Sequence, residues 1–129
     1  MWLRKLKSRR NYKSYYDLKI WEKGIILTLK IYDITRNFPE EEKFGLISQM
    51  RRCAVSIPSN IAEGYGRYNK KEFAQFLRIS KGSLCELDTQ LIICSNTKYI
   101  TEELYNEIAF MMDELQYMLL AFINRCSKK

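Results

Sequence analysis

Ser56-Ile57-Pro58-Ser59-Asn60-Ile61-Ala62-Glu63-Gly64-Tyr65-Gly66-Arg67 is the stretch on which the fold turns. Pro58, Ser59, Asn60, Gly64 and Gly66 are residue types that punctuate structure, and alone they would mark a loop. The apolar residues leading into and through the stretch say otherwise. Ile47, Met50, Ala54, Ile57 and Ile61 recur at intervals of three and four, so helical phase persists across the proline. The stretch therefore predicts a kinked helix. Pro58 removes one backbone donor and crowds the carbonyl of Ala54, a defect of about 3 kcal/mol in an ordinary helix. Ser56, Ser59 and Asn60 lie within a turn of the break and are expected to hydrogen-bond the freed carbonyl. Gly64 and Gly66 suit the C-terminal end of the helix.

Working outward, Glu40, Glu41 and Glu42 are expected to open this second helix, where negative charge complements the helix dipole. Asn37-Phe38-Pro39 closes the helix before it, because the residue preceding proline is pushed out of helical geometry. That first helix starts near Ser14 or Asp17, either of which can cap it. It carries two apolar stripes: Leu18, Trp21, Ile25, Leu29 and Tyr32 in one, and Ile20, Leu27, Ile31 and Ile34 in the other, with Gly24 in the second line. A monomeric bundle helix needs to bury only one face, about 100° wide. The second stripe thus points to subunit contacts, the alternative being that this helix is simply the most buried of the set.

Downstream, Asn69 with Glu72 forms a capping box for a third helix. Phe73, Leu77, Ser80, Leu84, Leu87, Leu91 and Cys94 then alternate spacings of four and three to about Asn96. Thr101, Glu102 and Glu103 begin a fourth, with the seam Leu104, Ile108, Met111, Leu115, Met118 and Phe122. Short connections favour antiparallel neighbours. The fold class is all-α, an antiparallel up-down-up-down four-helix bundle over residues 14–129, preceded by a flexible basic tail, residues 1–13.

Its 129 residues suit one domain with a real core. Formal net charge is +7, and residues 1–13 account for six of those charges through Arg4, Lys5, Lys7, Arg9, Arg10 and Lys13 without one acid. The start of the chain lacks the apolar core of a signal peptide, and the longest uncharged runs are about half the ~20 residues of a membrane span. Cys53, Cys85, Cys94 and Cys126 form no CxxC pair, and the chain has no histidine. They read as reduced, mostly core thiols of a cytoplasmic protein, with no metal site and no membrane partner expected.

Enzyme chemistry finds little support. Without histidine the commonest general base near neutral pH is missing. Gly64-Tyr65-Gly66 lacks the third glycine and the preceding strand of a phosphate-cradling loop. The thiols have no visible base, so no catalytic residue and no cofactor is assigned. Two polar constellations remain. Gln49, Arg52, Asn60, Glu63, Ser83 and Glu86 lie beside the seams of helices two and three. They are expected to form a structural network in which Glu63 or Glu86 meets Arg52, the other reading being a ligand pocket or an inter-subunit lock. Arg51, Arg52, Arg67, Lys70, Lys71, Arg78 and Lys81 cluster around the second-to-third turn and along helix three, with Tyr65 and Tyr68 interleaved. Such residues contact phosphates and stack on unpaired bases. Together with the tail they suit RNA, although an acidic protein or an anionic surface shares the complementarity.

The sequence also resembles a bacterial family. Phe38-Pro39, Glu42, Gly45-Leu46, Gln49-Met50-Arg51-Arg52, the Pro58 stretch, Phe73 to Leu77 and Gly82-Ser83 to Leu87 are similar to the pattern of proteins encoded in intervening sequences of 23S ribosomal RNA genes. These are distantly similar to accessory proteins of diversity-generating retroelements. The resemblance covers residues 18–125. It implies a four-helix fold, assembly as a homopentamer and a basic nucleic-acid-binding surface, with no enzymatic activity. It also raises a competing class, a scaffold for a protein partner such as a reverse transcriptase.

Overall fold

The chain doubles back three times between four long helices. The computed structural model describes residues 3–5 and 14–128. Helix α1 spans Lys19–Thr35, α2 Leu46–Tyr65, α3 Lys70–Asn96 and α4 Glu102–Ser127. No strand occurs among the described residues. Ser14 does cap, its Oγ accepting from Tyr16 N–H at 3.2 Å, but what it caps is a 3-10 turn, Tyr15–Asp17. Extended Leu18 separates that turn from α1. The turn lays Tyr15 and Tyr16 against Trp21, at ring distances of 5.2 and 5.3 Å.

The second helix also starts later than its acidic run. Glu40–Glu42 is a separate 3-10 turn, and α2 begins four residues beyond it, after Gly45. Glu42 still serves the helix start, because Oε1 accepts from Leu46 N–H at 3.3 Å while Oε2 accepts from Tyr99 OH at 2.9 Å. Asn69 and Thr101 cap α3 and α4, accepting from Glu72 N–H at 3.0 Å and Leu104 N–H at 3.1 Å, but the Glu72 carboxylate does not return the bond that would complete the capping box.

Across Pro58, α2 continues as one helix. The freed carbonyl of Ala54 is met from another helix: the Thr28 hydroxyl of α1 lies 3.0 Å from it and 2.7 Å from Gly24 O. The expected local partners are otherwise engaged. Ser56 Oγ lies 2.7 Å from both Cys53 O and Ser83 Oγ, Asn60 Nδ2 donates to Ser56 O at 2.7 Å, and Ser59 is exposed. Ala54 and Pro58, four residues apart, share the face turned to α1, so the donor comes from there. Gly24 makes room, since a Cβ on it would lie 3.3 Å from Pro58 Cβ. Gly64 does the same between α2 and α3, where a Cβ would fall 2.6 Å from Phe76 Cβ.

Inter-helix contacts fix every direction. Thr28 meets Ala54 while Arg51 meets Thr35, so α1 and α2 are antiparallel. Ser80 Oγ donates to Ile57 O while Cys53 Sγ donates to Ser83 O, which orders α2 against α3. Tyr105 OH donates to Asp88 in the middle of α3, and Arg78 reaches Ser127 near its start. Lys23 pairs with Glu114 and Lys30 with Glu107, closing α4 onto α1. The result is the up-down-up-down bundle.

The core follows the expected α3 seam, with Leu77, Ser80, Leu84, Leu87, Leu91 and Cys94 buried. On α4 the seam is turned. Ile108, Met112, Leu115, Leu119 and Ile123 are buried, whereas Leu104, Met111, Met118 and Phe122 are only partly so. Lying against both α3 and α1, α4 uses two adjoining apolar rows, of which the sequence pattern follows one. On α1 the Ile20, Leu27, Ile31 and Ile34 stripe is core. In the other stripe Trp21 is buried, Ile25 is half-buried and Leu29 is 61 % exposed.

Candidate nucleic-acid interface

The antiparallel order brings the start of α1, the end of α2, the start of α3 and the end of α4 to one end of the bundle. The N-terminal segment joins at the same end, through Ser14. Of its cations, Arg4 and Lys5 are described and exposed, in a helical turn whose Leu3 is buried in the core cluster. Lys7, Arg9, Arg10 and Lys13 lie outside the described residues.

At this end the Gly66-Arg67-Tyr68 turn is closed by backbone bonds: Gly66 N–H to Ala62 O, Arg67 N–H to Gly64 O and Tyr68 N–H to Tyr65 O, at 3.1, 3.2 and 3.3 Å. Neither glycine takes the left-handed conformation that often ends a helix. Tyr68 does, with φ 55°. Rings line up beside it, Tyr65 lying 6.5 Å from Tyr68 and 6.1 Å from Phe73, and Phe73 6.1 Å from Phe122. Arg125 covers Phe122 at 4.3 Å.

A groove of about 400 Å³ runs between the start of α3 and the end of α4, lined by Lys70, Lys71, Gln75, Arg78, Ser127 and Lys128 among others. Arg78 Nη2 donates to Ser127 Oγ at 3.1 Å. No carboxylate of the described residues lies within 4.0 Å of a nitrogen of Lys70, Lys71, Arg78 or Lys81. Arg125 and Lys128, which the sequence reading did not select, belong here. Their signal was topological, since antiparallel order carries the end of α4 to the start of α3.

Other selected cations are placed differently. Arg67 is engaged, with Nη2 3.3 Å from Glu63 Oε1 and its guanidinium 5.1 Å from the Phe76 ring centre. Lys81 is half-buried farther along α3. Arg51 stands apart, toward the opposite end, clamping α1: Nε donates to Thr35 Oγ1 at 2.9 Å, Nη2 to Tyr32 O at 3.3 Å, and the guanidinium stacks 4.6 Å from Tyr32.

The polar set does not gather into one network. Asn60 and Ser83 meet around Ser56, but Gln49, Arg52, Glu63 and Glu86 are exposed, and neither glutamate lies within 4.0 Å of Arg52. Glu86 instead accepts from Gln90 Nε2 at 3.4 Å. The pairing expected across helices two and three is thus replaced by small side chains, Ser56, Ser80 and Ser83, which let the helices approach closely.

Of the four thiols only Cys53 and Cys94 are core residues, Cys85 being exposed and Cys126 half-buried, and the two buried ones are held in their protonated state. Burial, reinforced by Glu86, pushes Cys53 up to about 12, and burial together with the charge of Glu42 pushes Cys94 up to about 11. Such groups make poor nucleophiles at neutral pH. The bond to Glu42 raises Tyr99, and burial with the bond to Asp88 raises Tyr105. No metal-holding cluster of acidic or thiol side chains and no helix apolar and long enough to cross a membrane occurs among the described residues.

Fold and site together define an antiparallel four-helix bundle with a basic, aromatic end. The chain belongs to the 23S rRNA-intervening sequence protein family, whose pattern matches residues 16–121. Among solved structures it is similar to a protein of unknown function from the S23 ribosomal protein family of Bacteroides thetaiotaomicron VPI-5482, with 25% identity and a TM-score of 0.75. That match covers 81% of this chain and 95% of the other. No curated protein matches.

Proposed function

We propose that this chain is a cytoplasmic, non-catalytic protein that forms a homo-oligomer and binds nucleic acid, preferentially structured RNA. The observation that carries the reading is convergence: Lys70, Lys71, Arg78 and Lys128 share the end of the bundle at which the cationic N-terminal segment joins. Phosphate contacts supply most non-specific affinity. Self-association is supported by the second stripe of α1. Leu29 is exposed, and Ile25 lines a groove of about 300 Å³ with Trp21 and with Val55 and Pro58 of α2. A ring, pentameric by family resemblance, would repeat the basic end and multiply weak contacts.

The test is fluorescence anisotropy with a structured RNA and a matched DNA duplex over a range of salt. It compares the native chain with a variant in which Arg4, Lys5, Lys7, Arg9, Arg10 and Lys13 are all glutamine. Substitution is preferable to truncation because Leu3 is part of the core cluster. Roughly six phosphate contacts give a log–log salt slope near −5 on a duplex, and the variant loses most of it. Absence of binding at low salt would refute the reading, and a monomer mass by light scattering would refute the assembly. A second reading, a scaffold for a protein partner, is favoured by the outer face of α4, where Phe110 and Tyr117 are 72 % and 77 % exposed. It predicts partner capture that survives loss of the basic end.

A further inference from the structure

Tyr68 stands where the fold has no evident need for an aromatic ring. Its backbone is left-handed, a region that residues with a Cβ avoid, and it is 90 % exposed. The turn is closed by backbone bonds and the cap of α3 is Asn69, so glycine or asparagine at position 68 would serve the turn with less strain. Tyr65, in contrast, is half-buried and braced edge-on by Phe73. A held ring and an exposed ring thus face the same slot of about 210 Å³, completed by Gly64, Asn69, Lys70 and Phe73. Lys70 also lines the neighbouring basic groove with Lys71 and Arg78. The aromatic slot and the phosphate-complementary groove therefore adjoin at one lysine.

We infer that the slot receives an unpaired nucleobase, stacked on the exposed face of Tyr68 with the Tyr65 ring, tilted 52° to it, against the base edge, while the adjoining phosphates lie on Lys70, Lys71 and Arg78. The inference rests on the nucleic-acid reading and deepens it, naming a single-stranded or looped segment as the preferred ligand. Paired bases are already stacked and offer no free face, whereas any unpaired base offers one to an aromatic ring. The cations bordering the slot separate this from a pocket for an apolar side chain. Stacking alone does not distinguish RNA from DNA, a distinction that requires contact with the 2′-hydroxyl.

The experiment uses the full chain and four labelled probes: an RNA hairpin with an open adenine-rich loop, the blunt duplex of its stem, and the DNA form of each. Tyr68→Gly removes the ring and accepts the left-handed backbone, and Tyr68→Phe keeps the ring. The native protein is expected to bind looped probes more tightly than duplexes. Tyr68→Gly should lower loop affinity about tenfold while leaving duplex affinity unchanged, and Tyr68→Phe should retain it. Equal loss in the RNA and DNA loops supports stacking by itself, while a larger loss in RNA supports stacking with an added 2′-hydroxyl contact. A Tyr68→Gly melting temperature at or above that of the native protein excludes unfolding as the cause. Unchanged loop affinity in Tyr68→Gly, or an equal loss for loop and duplex, overturns the slot and leaves the electrostatic reading standing. No binding of any probe by the native protein at low salt overturns the reading beneath it.

Discussion

Thr28→Val isolates the contact that lets α2 carry a proline in its interior. Ala54 is fully buried, and its carbonyl cannot receive the usual bond because residue 58 has no N–H. The Thr28 hydroxyl, 3.0 Å away, is the donor placed to replace it. Valine keeps nearly the same shape and leaves a buried carbonyl unpaired, a loss of about 1–3 kcal/mol. For a chain of this size that lowers the melting temperature by roughly 4 °C per kcal/mol. The decisive comparison repeats the substitution in a Pro58→Ala background. There Ala54 O regains an ordinary helical donor, so Thr28→Val should have little effect. A double-mutant cycle by urea melts, at one protein concentration because association contributes to stability, should give a coupling of about 1–2 kcal/mol. Any change in packing between Gly24 and residue 58 enters both arms and cancels. Equal losses in the two backgrounds would show that the hydroxyl serves only Gly24 O, and the account of how α2 tolerates Pro58 would fail.

Two glycines should respond with opposite signs. Gly64→Ala drives a Cβ against Phe76 and should destabilise by about 1–3 kcal/mol, whereas Gly82→Ala meets nothing within 4 Å and should stabilise by about 0.5–1 kcal/mol. Urea melts that moved both the same way would contradict the α2–α3 spacing. Gln90→Leu should raise stability by about 1 kcal/mol, because Gln90 Oε1 is buried without a partner among the described residues; a loss in the same assay would mean that the amide is satisfied. The protein should also weaken in alkali. Folded Cys53 and Cys94 ionise above the ordinary thiol value of 9.0, at about 12 and about 11. Their contribution is thus complete below pH 9 and is lost as the unfolded thiols ionise between pH 9 and 12. Tyr99 and Tyr105, also raised, act in the same direction above pH 10. Cys53→Ala should flatten the fall in melting temperature over this range, and an unchanged pH profile would contradict it.

The architecture was legible because each helix announces itself through its spacing, and Asn69 and Thr101 cap from within their own sequence neighbourhood. What escaped depends on partners remote in sequence. Thr28 lies 26 residues from Ala54, and its only local sign is a threonine one turn after Gly24 on the buried stripe. On α4, Met112, Leu119 and Ile123 form a second apolar row that periodicity ranks no lower than the row chosen, and the choice is made by α1 and α3 together. Charge was legible as composition but not as engagement. Nothing local distinguishes Arg51, stacked on Tyr32, from Lys71, without a carboxylate of the described residues in reach.

Engagement also separates the cations held within the fold from those proposed to contact nucleic acid. Arg51 and Arg67 are accounted for inside the fold, and Arg125 complements the carboxyl end of α4. Lys70 and Lys71 have no such account. They occupy the first turn of α3, where positive charge opposes the dipole of their own helix by about 0.3–1 kcal/mol each, although the carboxyl ends of α2 and α4 nearby soften that cost. The same chain obeys the rule elsewhere, opening α4 with Glu102 and Glu103. Two successive lysines placed against the local preference, one residue after a strained and exposed tyrosine, form a cluster of departures only partly compensated inside the subunit, by those carboxyl ends and by Glu72 in the same turn. Departures of that kind concentrate where a sequence answers to a ligand rather than to its own stability. The constraint on this end of the bundle is therefore best sought in what binds it.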